Sequence, residues 1–184
     1  FFGGDLQGII DKLDYLKDLG ISGLYLTPIN EAPSSHKYDT TDYMKIDPHF
    51  GSEETFMRLV EEAHARQMKV MLDGVFNHVG RGFSQFQDVV KNREHSPYLN
   101  WFHINLGGNS NYNDGLWYEG WEGNYDLVKL NLRNEEVVQH ILDSVDMWIK
   151  EFDIDGLRLD VAYCLDHDFV RRLRSFTDGK KADF

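Results

Sequence analysis

The apolar positions along the chain follow two different periodicities. Spacings of three and four residues predict helices, whereas short apolar runs bounded by turn residues predict buried strands. Helical spacing is found over residues 8–19, 52–67, 134–152 and 166–177. Strand-like runs are ISGLYL at 21–26, KVMLDGVF at 69–76 and IDGLRLDV at 154–161.

Capping signals mark the ends of several predicted helices. Ser52 and Asn134 are predicted N-caps, and each is followed by two glutamates in the first turn, where the helix dipole favours negative charge. Gly20 follows the first helical stretch and predicts its C-terminal end.

The order of the predicted elements indicates an α/β fold. Strands that alternate with helices form right-handed parallel βαβ units. The pattern does not distinguish a doubly wound sheet from a barrel. Residues 77–130 contain no long predicted element and are rich in Asn, Gly and aromatic residues, which is typical of a small inserted subdomain.

Composition narrows the classes of partner. Of the 184 residues, 41% are hydrophobic and 27% are charged, as in globular proteins. A net charge of −12 argues against a nucleic acid or an anionic membrane as partner. No apolar run approaches the roughly 18 residues of a membrane span.

Cys164 is the single cysteine of the sequence, so no internal disulfide is expected. The absence of an initial Met predicts a fragment or a processed product.

The stretch 154–161 carries the strongest chemical signal. Strand alternation places Arg158 and Asp160 on one face, at the carboxyl end of a predicted parallel strand. Buried charges there are costly unless they are paired. Barrels and open α/β sheets keep their active sites at this end, so the pair is either a structural salt bridge or part of a site.

Two further segments end at the same predicted rim. Asp73 lies within an apolar strand and His78 just beyond its end, with opposite parity, so both serve one site only if the chain bends after Phe76. Tyr38 lies in the loop after the first strand and either stacks on a ligand ring or belongs to a solvated turn.

Five segments together resemble the successive signatures of the α-amylase family of glycoside hydrolases. They are GGDLQGI, LGISGLYLTPI, KYDTTDYMKIDPHFG, VMLDGVFNH and DIDGLRLDVA. The resemblance is greatest to the neopullulanase, cyclomaltodextrinase and maltogenic-amylase branch. It implies a partial (β/α)₈ TIM barrel, with the second to fourth strands and a small subdomain inserted after the third. The implied division is 1–77, first part of the barrel; 78–130, the insertion; and 131–184, barrel truncated before its fifth strand.

The resemblance also implies a role for individual residues. Asp160 matches the catalytic nucleophile, and Arg158 matches the arginine that keeps this carboxylate ionised. Tyr38, Asp73 and His78 match residues that bind the sugar. The implied reaction is retaining, double-displacement hydrolysis of an α-1,4-linked glucan or maltooligosaccharide, with no nucleic-acid or membrane partner.

Departures from the family pattern affect the acceptor side and the metal. Tyr163 and Cys164 stand where many amylases have Lys-His, so acceptor contacts are expected to differ. Asn77 matches a calcium-binding residue, but Lys129 and Asn131 stand where its acidic partner is expected. We therefore expect no cofactor, and Asn77 is only a weak calcium candidate.

Several alternatives stay open at this stage. The same family includes transferases and isomerases of the sucrose, trehalose or branching type, and non-catalytic barrel relatives. The family takes its general acid from a Glu after the fifth strand, expected beyond Phe184; Glu119 and Glu122 are the plausible substitutes here. The insertion aromatics form either a local core or a sugar platform, and they are Tyr112, Trp117, Tyr118 and Trp121.

Overall fold

The structure is a computed structural model that describes residues 2–184, which contain six α-helices and ten short strands. The helices are α1 (Leu6–Ile10), α2 (Leu13–Asp18), α3 (Glu53–Ala65), α4 (Ser84–Asn92), α5 (Glu135–Phe152) and α6 (His167–Asp178). The strands are β1 (Gly23–Leu26), β2 (Asn30–Glu31), β3 (Asp42–Ile46), β4 (Lys69–Gly74), β5 (His78–Gly80), β6 (Ile104–Asn105), β7 (Trp117–Tyr118), β8 (Gly120–Trp121), β9 (Asn124–Lys129) and β10 (Gly156–Leu159).

The three predicted strands form one parallel sheet, in the order β1-β4-β10. All three therefore end at the same edge, and the register pairs Arg158 of β10 with Asp73 of β4. This arrangement confirms the α/β class and brings the charged residues of two strands side by side.

The core lies between this sheet and the helices that connect its strands. The apolar stripe predicted for α5 is buried along its whole length, from Val138 to Phe152. Phe152 packs edge-on against Phe56 of α3, with ring centroids 5.1 Å apart. Trp148 is fully buried, and its indole N–H donates to the Tyr43 carbonyl at 2.9 Å.

The predicted caps are confirmed. The Ser52 hydroxyl accepts the Thr55 N–H at 3.2 Å, and the Asn134 side chain accepts the N–H groups of Glu136 and Val137. Gly20 has φ +84°, in the left-handed region that favours glycine just after a helix.

Two details of the sequence prediction were wrong at the start of the chain. The helix predicted over 8–19 is two helices, α1 and α2, separated at residues 11–12. The 21–26 strand is also not buried: Tyr25 is 46% exposed and Ile21 is 37% exposed. Within residues 2–184, β1 pairs only with β4, so one of its edges has no partner strand.

The segment 77–130 contains more regular structure than predicted. Helix α4 was missed because its apolar residues, among them the buried Phe86 and Val89, span little more than two turns. Strands β5, β9 and β8 form a separate antiparallel sheet, and β6 pairs with β7. The boundaries 78–130 for an inserted subdomain remain a prediction.

A close backbone approach ties this segment to the loop after β1. The Gly80 N–H donates to the Thr40 carbonyl at 2.8 Å. A Cβ added at Gly80 would lie 2.2 Å from the Asp39 carbonyl oxygen, so any other residue would force the two segments apart.

Among residues 2–184, no helix combines the length and the apolar character needed to cross a membrane.

Candidate active site

The guanidinium of Arg158 joins two carboxylates at the carboxyl end of the sheet. Its Nη1 lies 2.7 Å from Asp160 Oδ1 and 3.0 and 3.1 Å from the two carboxyl oxygens of Asp73. Asp73 comes from β4 and Asp160 follows β10, so the parallel register creates this contact. The predicted pairing of Arg158 with Asp160 is confirmed, and Asp73 belongs to the same network.

Asp73 is the most deeply buried member of the network, with a side chain 0% exposed. Its Oδ2 accepts the hydroxyl of Tyr25 at 2.5 Å and that of Tyr38 at 3.0 Å. These hydrogen bonds satisfy the buried carboxylate together with Arg158. Tyr25 was not among the predicted site residues, because 21–26 was predicted to be a buried strand. Its alternation with Leu24 and Leu26 was the signal that could have placed Tyr25 on the other face of the strand.

His78 reaches the same region because the chain bends after β4. The parallel strand ends at Gly74, and β5 begins at His78 in a different sheet. Asn77 Nδ2 lies 3.2 Å from His78 Nδ1. Nε2 is buried and has no hydrogen-bond partner among residues 2–184. It is a polar atom available to a ligand.

A cavity of about 300 Å³ lies over this end of the sheet. Residues from the first loop, the segment 77–130 and the end of β10 line it together. They are His36, Tyr38, His78, Trp121, Asn124, Leu127, Asp160 and Val161. The predicted residues Tyr38, His78 and Asp160 therefore share one cavity, while Asp73 and Arg158 support it from the sheet. His36, whose ring stacks on Tyr38 with centroids 6.0 Å apart, was not predicted.

Burial controls the protonation of the site. Burial raises the pKa of Asp160 above its ordinary value, and the hydrogen bond from Arg158 opposes this change without cancelling it. The hydrogen bond to Asp73 is the largest cause of the raised pKa of Arg158. Burial also lowers the pKa of His78 to about 4, so its imidazole is neutral at neutral pH.

The aromatic residues of the segment 77–130 have different environments. Tyr118 is fully buried and is part of the core, whereas Trp121 lines the cavity beside His78, with ring centroids 6.2 Å apart. Tyr112 and Trp117 are 46% and 38% exposed. The local-core alternative therefore holds for Tyr118, and the sugar-platform alternative stays a prediction for the other three.

The surroundings of Asn77 combine one feature that fits a cation with one that opposes it. Asn77 Oδ1 is buried without a hydrogen-bond partner, which by itself fits a cation ligand. The same small cavity is lined by Lys129, whose ammonium pairs with Glu119 Oε1 at 2.7 Å. Within residues 2–184 there is no cluster of three or more His, Cys, Asp or Glu side chains arranged to hold a metal. Calcium ligation needs several oxygens and no adjacent cation.

Parallel βα units with a carboxylate–guanidinium pair at the strand ends define an α/β protein whose candidate ligand site lies at the carboxyl edge of its sheet, where both barrels and open α/β sheets have their sites. The chain belongs to the alpha-amylase family: the model of the alpha-amylase catalytic domain matches residues 2–183. The resemblance inferred from the five motifs is thereby confirmed, as is the partial barrel.

Curated relatives are similar to this chain along its whole length. The intracellular maltogenic amylase of Bacillus subtilis (strain 168) is 54% identical over 183 residues, and the cyclomaltodextrinase of Geobacillus thermopakistaniensis is 53% identical over 188 residues. Both alignments cover 100% of this chain but 30% and 31% of those relatives. The chain thus spans less than a third of their length.

Solved structures of similar proteins also match this chain along its whole length. A cyclomaltodextrinase superimposes with a TM-score of 0.93 at 44% identity, covering 100% of this chain and 31% of that one. The cyclic alpha-maltosyl-(1→6)-maltose hydrolase of Arthrobacter globiformis, in complex with that cyclic sugar, gives a TM-score of 0.92 at 46% identity, covering 100% and 41%.

The two carboxylates bound by Arg158 should differ in their contribution to stability. Asp160→Asn removes a charge that burial disfavours and leaves Arg158 bound to Asp73, so we expect an unchanged or higher melting temperature. Asp73→Asn weakens four hydrogen bonds at a fully buried group. We expect a loss on the order of 2 kcal/mol, below the about 3–5 kcal/mol of a fully buried pair because the Arg158 side chain is 43% exposed. Urea unfolding of both variants measures the difference; an equal loss in both would contradict it.

We propose that calcium is dispensable at Asn77. Adding a chelator should leave the melting temperature unchanged, and adding calcium should not raise it. Lys129→Glu is the matched variant, because it replaces the cation with a carboxylate and should make stability depend on calcium. A chelator-induced drop in the unmodified chain, reversed by calcium, would refute the proposal.

Proposed function

We propose that this chain forms the nucleophile-bearing part of the active site of a retaining glycoside hydrolase that acts on α-1,4-linked maltooligosaccharides. The observation that carries the proposal is the contact of Arg158 with both Asp73 and Asp160, of which Asp160 lines the cavity. Family membership and the maltodextrin-related names of the similar enzymes support the choice of substrate.

In this proposal Asp160 attacks the anomeric carbon. Arg158 holds Oδ1, and its hydrogen bond opposes the rise in the pKa of Asp160 that burial causes, which favours the ionised carboxylate needed for attack. The second oxygen, Oδ2, forms the bond to carbon as the glycosidic bond breaks. The resulting glycosyl ester is then hydrolysed by water, which restores the carboxylate with net retention.

The other cavity residues are assigned to holding the sugar next to Asp160. His78 is neutral and its buried Nε2 has no partner among the described residues, so this nitrogen would hydrogen-bond a sugar hydroxyl. Tyr38 offers a ring face, with its hydroxyl fixed by Asp73. Trp121 adds a second aromatic wall, which suits a pyranose ring.

Retaining hydrolysis also needs a second carboxyl group, about 5–5.5 Å from the nucleophile, as the acid. Asp160 is the one carboxylate among the residues that line the cavity in the described part of the chain. Asp73 is occupied by two tyrosines and Arg158. Glu119 pairs with Lys129, and Glu122 accepts the Tyr163 hydroxyl at 3.1 Å. None of these is free to protonate a leaving group at the cavity.

A chimera tests the nucleophile directly. In it, this chain replaces the matching 183 residues of the Bacillus subtilis intracellular maltogenic amylase. We expect turnover of a chromogenic maltooligosaccharide, and a loss of several orders of magnitude on Asp160→Asn, because the amide cannot form the glycosyl ester. A 5-fluoro-α-glucosyl fluoride should label the peptide that contains Asp160, as detected by mass spectrometry.

Asp168→Asn is the matched control, since this exposed aspartate at the start of α6 pairs with Arg171 and is not among the residues that line the cavity. It should retain full turnover. Wild-type turnover in Asp160→Asn, or label on a different residue, would reject the assignment, whereas an inactive parent chimera would reject the proposed function itself.

The 184 residues by themselves are expected not to hydrolyse the same substrate, because the described residues offer no acid at the cavity. The chain and the chimera should be assayed side by side at equal concentration. Turnover by the chain alone that Glu119→Gln or Glu122→Gln abolishes would show that one of these two glutamates is the acid.

A further inference from the structure

Lys37 is an unusual buried residue beside the cavity. It is 1% exposed, and lysine is almost never buried to this degree unless its charge is paired. Its ammonium lies 2.7 Å from Asp47 Oδ2 and donates to the Ala32 carbonyl at 2.6 Å. Both charges of the pair are therefore buried away from solvent.

Asp47 is built to receive this charge. It is 2% exposed, and it accepts the N–H of Ala32 at 3.2 Å and the N–H and Nδ1 of His49 at 3.0 and 2.7 Å. Burial acts to raise the pKa of Asp47, but the hydrogen bonds from Lys37 and His49 outweigh it and bring the pKa to about 2. The carboxylate is therefore ionised at neutral pH.

The ion pair closes the segment 32–47, here named the rim segment. Ala32 and Asp47 are its two ends, and Lys37 holds both from inside. The residues on either side of Lys37 are His36 and Tyr38, and both line the cavity. An anchor buried between two cavity residues fixes where their backbone lies.

The backbone at Lys37 indicates that its side chain is needed there. Lys37 has φ +65°, in the left-handed region that costs a non-glycine residue roughly 1 kcal/mol or more. Glycine would remove this cost. The strain persists because the surrounding hydrogen bonds hold it, including that from the Lys37 N–H to Ser34 Oγ at 3.0 Å.

Stability alone does not account for the pair. The cost of removing two charges from water offsets most of their attraction, so well-packed apolar side chains at such positions are often equally stable or more stable. Buried ion pairs can instead select one conformation, and here the conformation selected is that of the rim segment.

We propose that Lys37 is a positioning residue, whose ion pair with Asp47 fixes the rim segment so that Tyr38 stays bonded to Asp73 with its ring on the cavity. The consequence for catalysis rests on the proposed function, but the consequence for Tyr38 does not.

The first test measures the titration of the two tyrosines that share Asp73. Each position, 25 or 38, carries 3-fluorotyrosine, and its ¹⁹F shift is followed with pH in the 184-residue chain and in the chimera. The pKa of Tyr38 is raised by burial and by Asp73, as is that of Tyr25. In Lys37→Met we expect the pKa of the fluorotyrosine at position 38 to fall towards that of free 3-fluorotyrosine, while the pKa at position 25, which lies on β1, is unchanged.

Three further variants keep the test interpretable. Lys37→Met combined with Asp47→Asn avoids an unpaired buried charge, so this double variant should fold even if the single variant does not. The pKa at position 38 should still fall in it. Lys37→Arg keeps the charge, so the raised pKa at position 38 should be retained. Lys45→Met removes a lysine of the same segment whose side chain is 61% exposed, and it should change nothing.

The second test is kinetic and uses the chimera. Lys37→Met with Asp47→Asn should lower kcat and kcat/KM together by about 10–100-fold, since a misplaced sugar loses interactions made in the transition state. An inactive parent chimera would count against the proposed function only, because the fluorine titration is still read. An unchanged Tyr38 titration in the folded double variant, or equal changes at Tyr38 and Tyr25, would overturn the positioning role.

Discussion

The site depends on one guanidinium shared by two carboxylates. Asp73 lies in β4 and Asp160 directly follows the neighbouring strand β10, and without Arg158 between them their charges would repel in a poorly solvated place. The register that sets Arg158 beside Asp73 therefore fixes the sheet and the electrostatics of the cavity in a single step. The rest of the site, from the two tyrosines to His78, is arranged around that contact.

The sequence predicted most of the scaffold because local signals agreed with the fold. The three parallel strands, the capped helices α3 and α5 and the Arg158–Asp160 pair all follow from periodicity and short-range chemistry. The sequence predicted that Asp73 and His78 could serve one site only if the chain bends between them. The parallel strand β4 ends at Gly74, so the structure satisfies this condition. The roles assigned to these residues remain proposals.

What the sequence did not predict depends on contacts between distant segments. Tyr25 was taken for core because an apolar run does not reveal which strand faces a cavity, and its bond to Asp73 spans 48 positions. Helix α4 was missed because too few apolar residues define its face. Lys37 reads as a solvated loop residue until Asp47 is seen to close the same segment.

Gly80 has a consequence beyond local packing. Its missing side chain lets the segment after β4 touch the loop after β1, so the two pieces of chain that supply the cavity's opposite walls share one backbone junction. A change of backbone position in one wall therefore requires a matching change in the other during evolution. Divergence in what the cavity accepts should therefore accumulate beyond this junction, in the stretch around Trp121, where substitutions leave the junction intact.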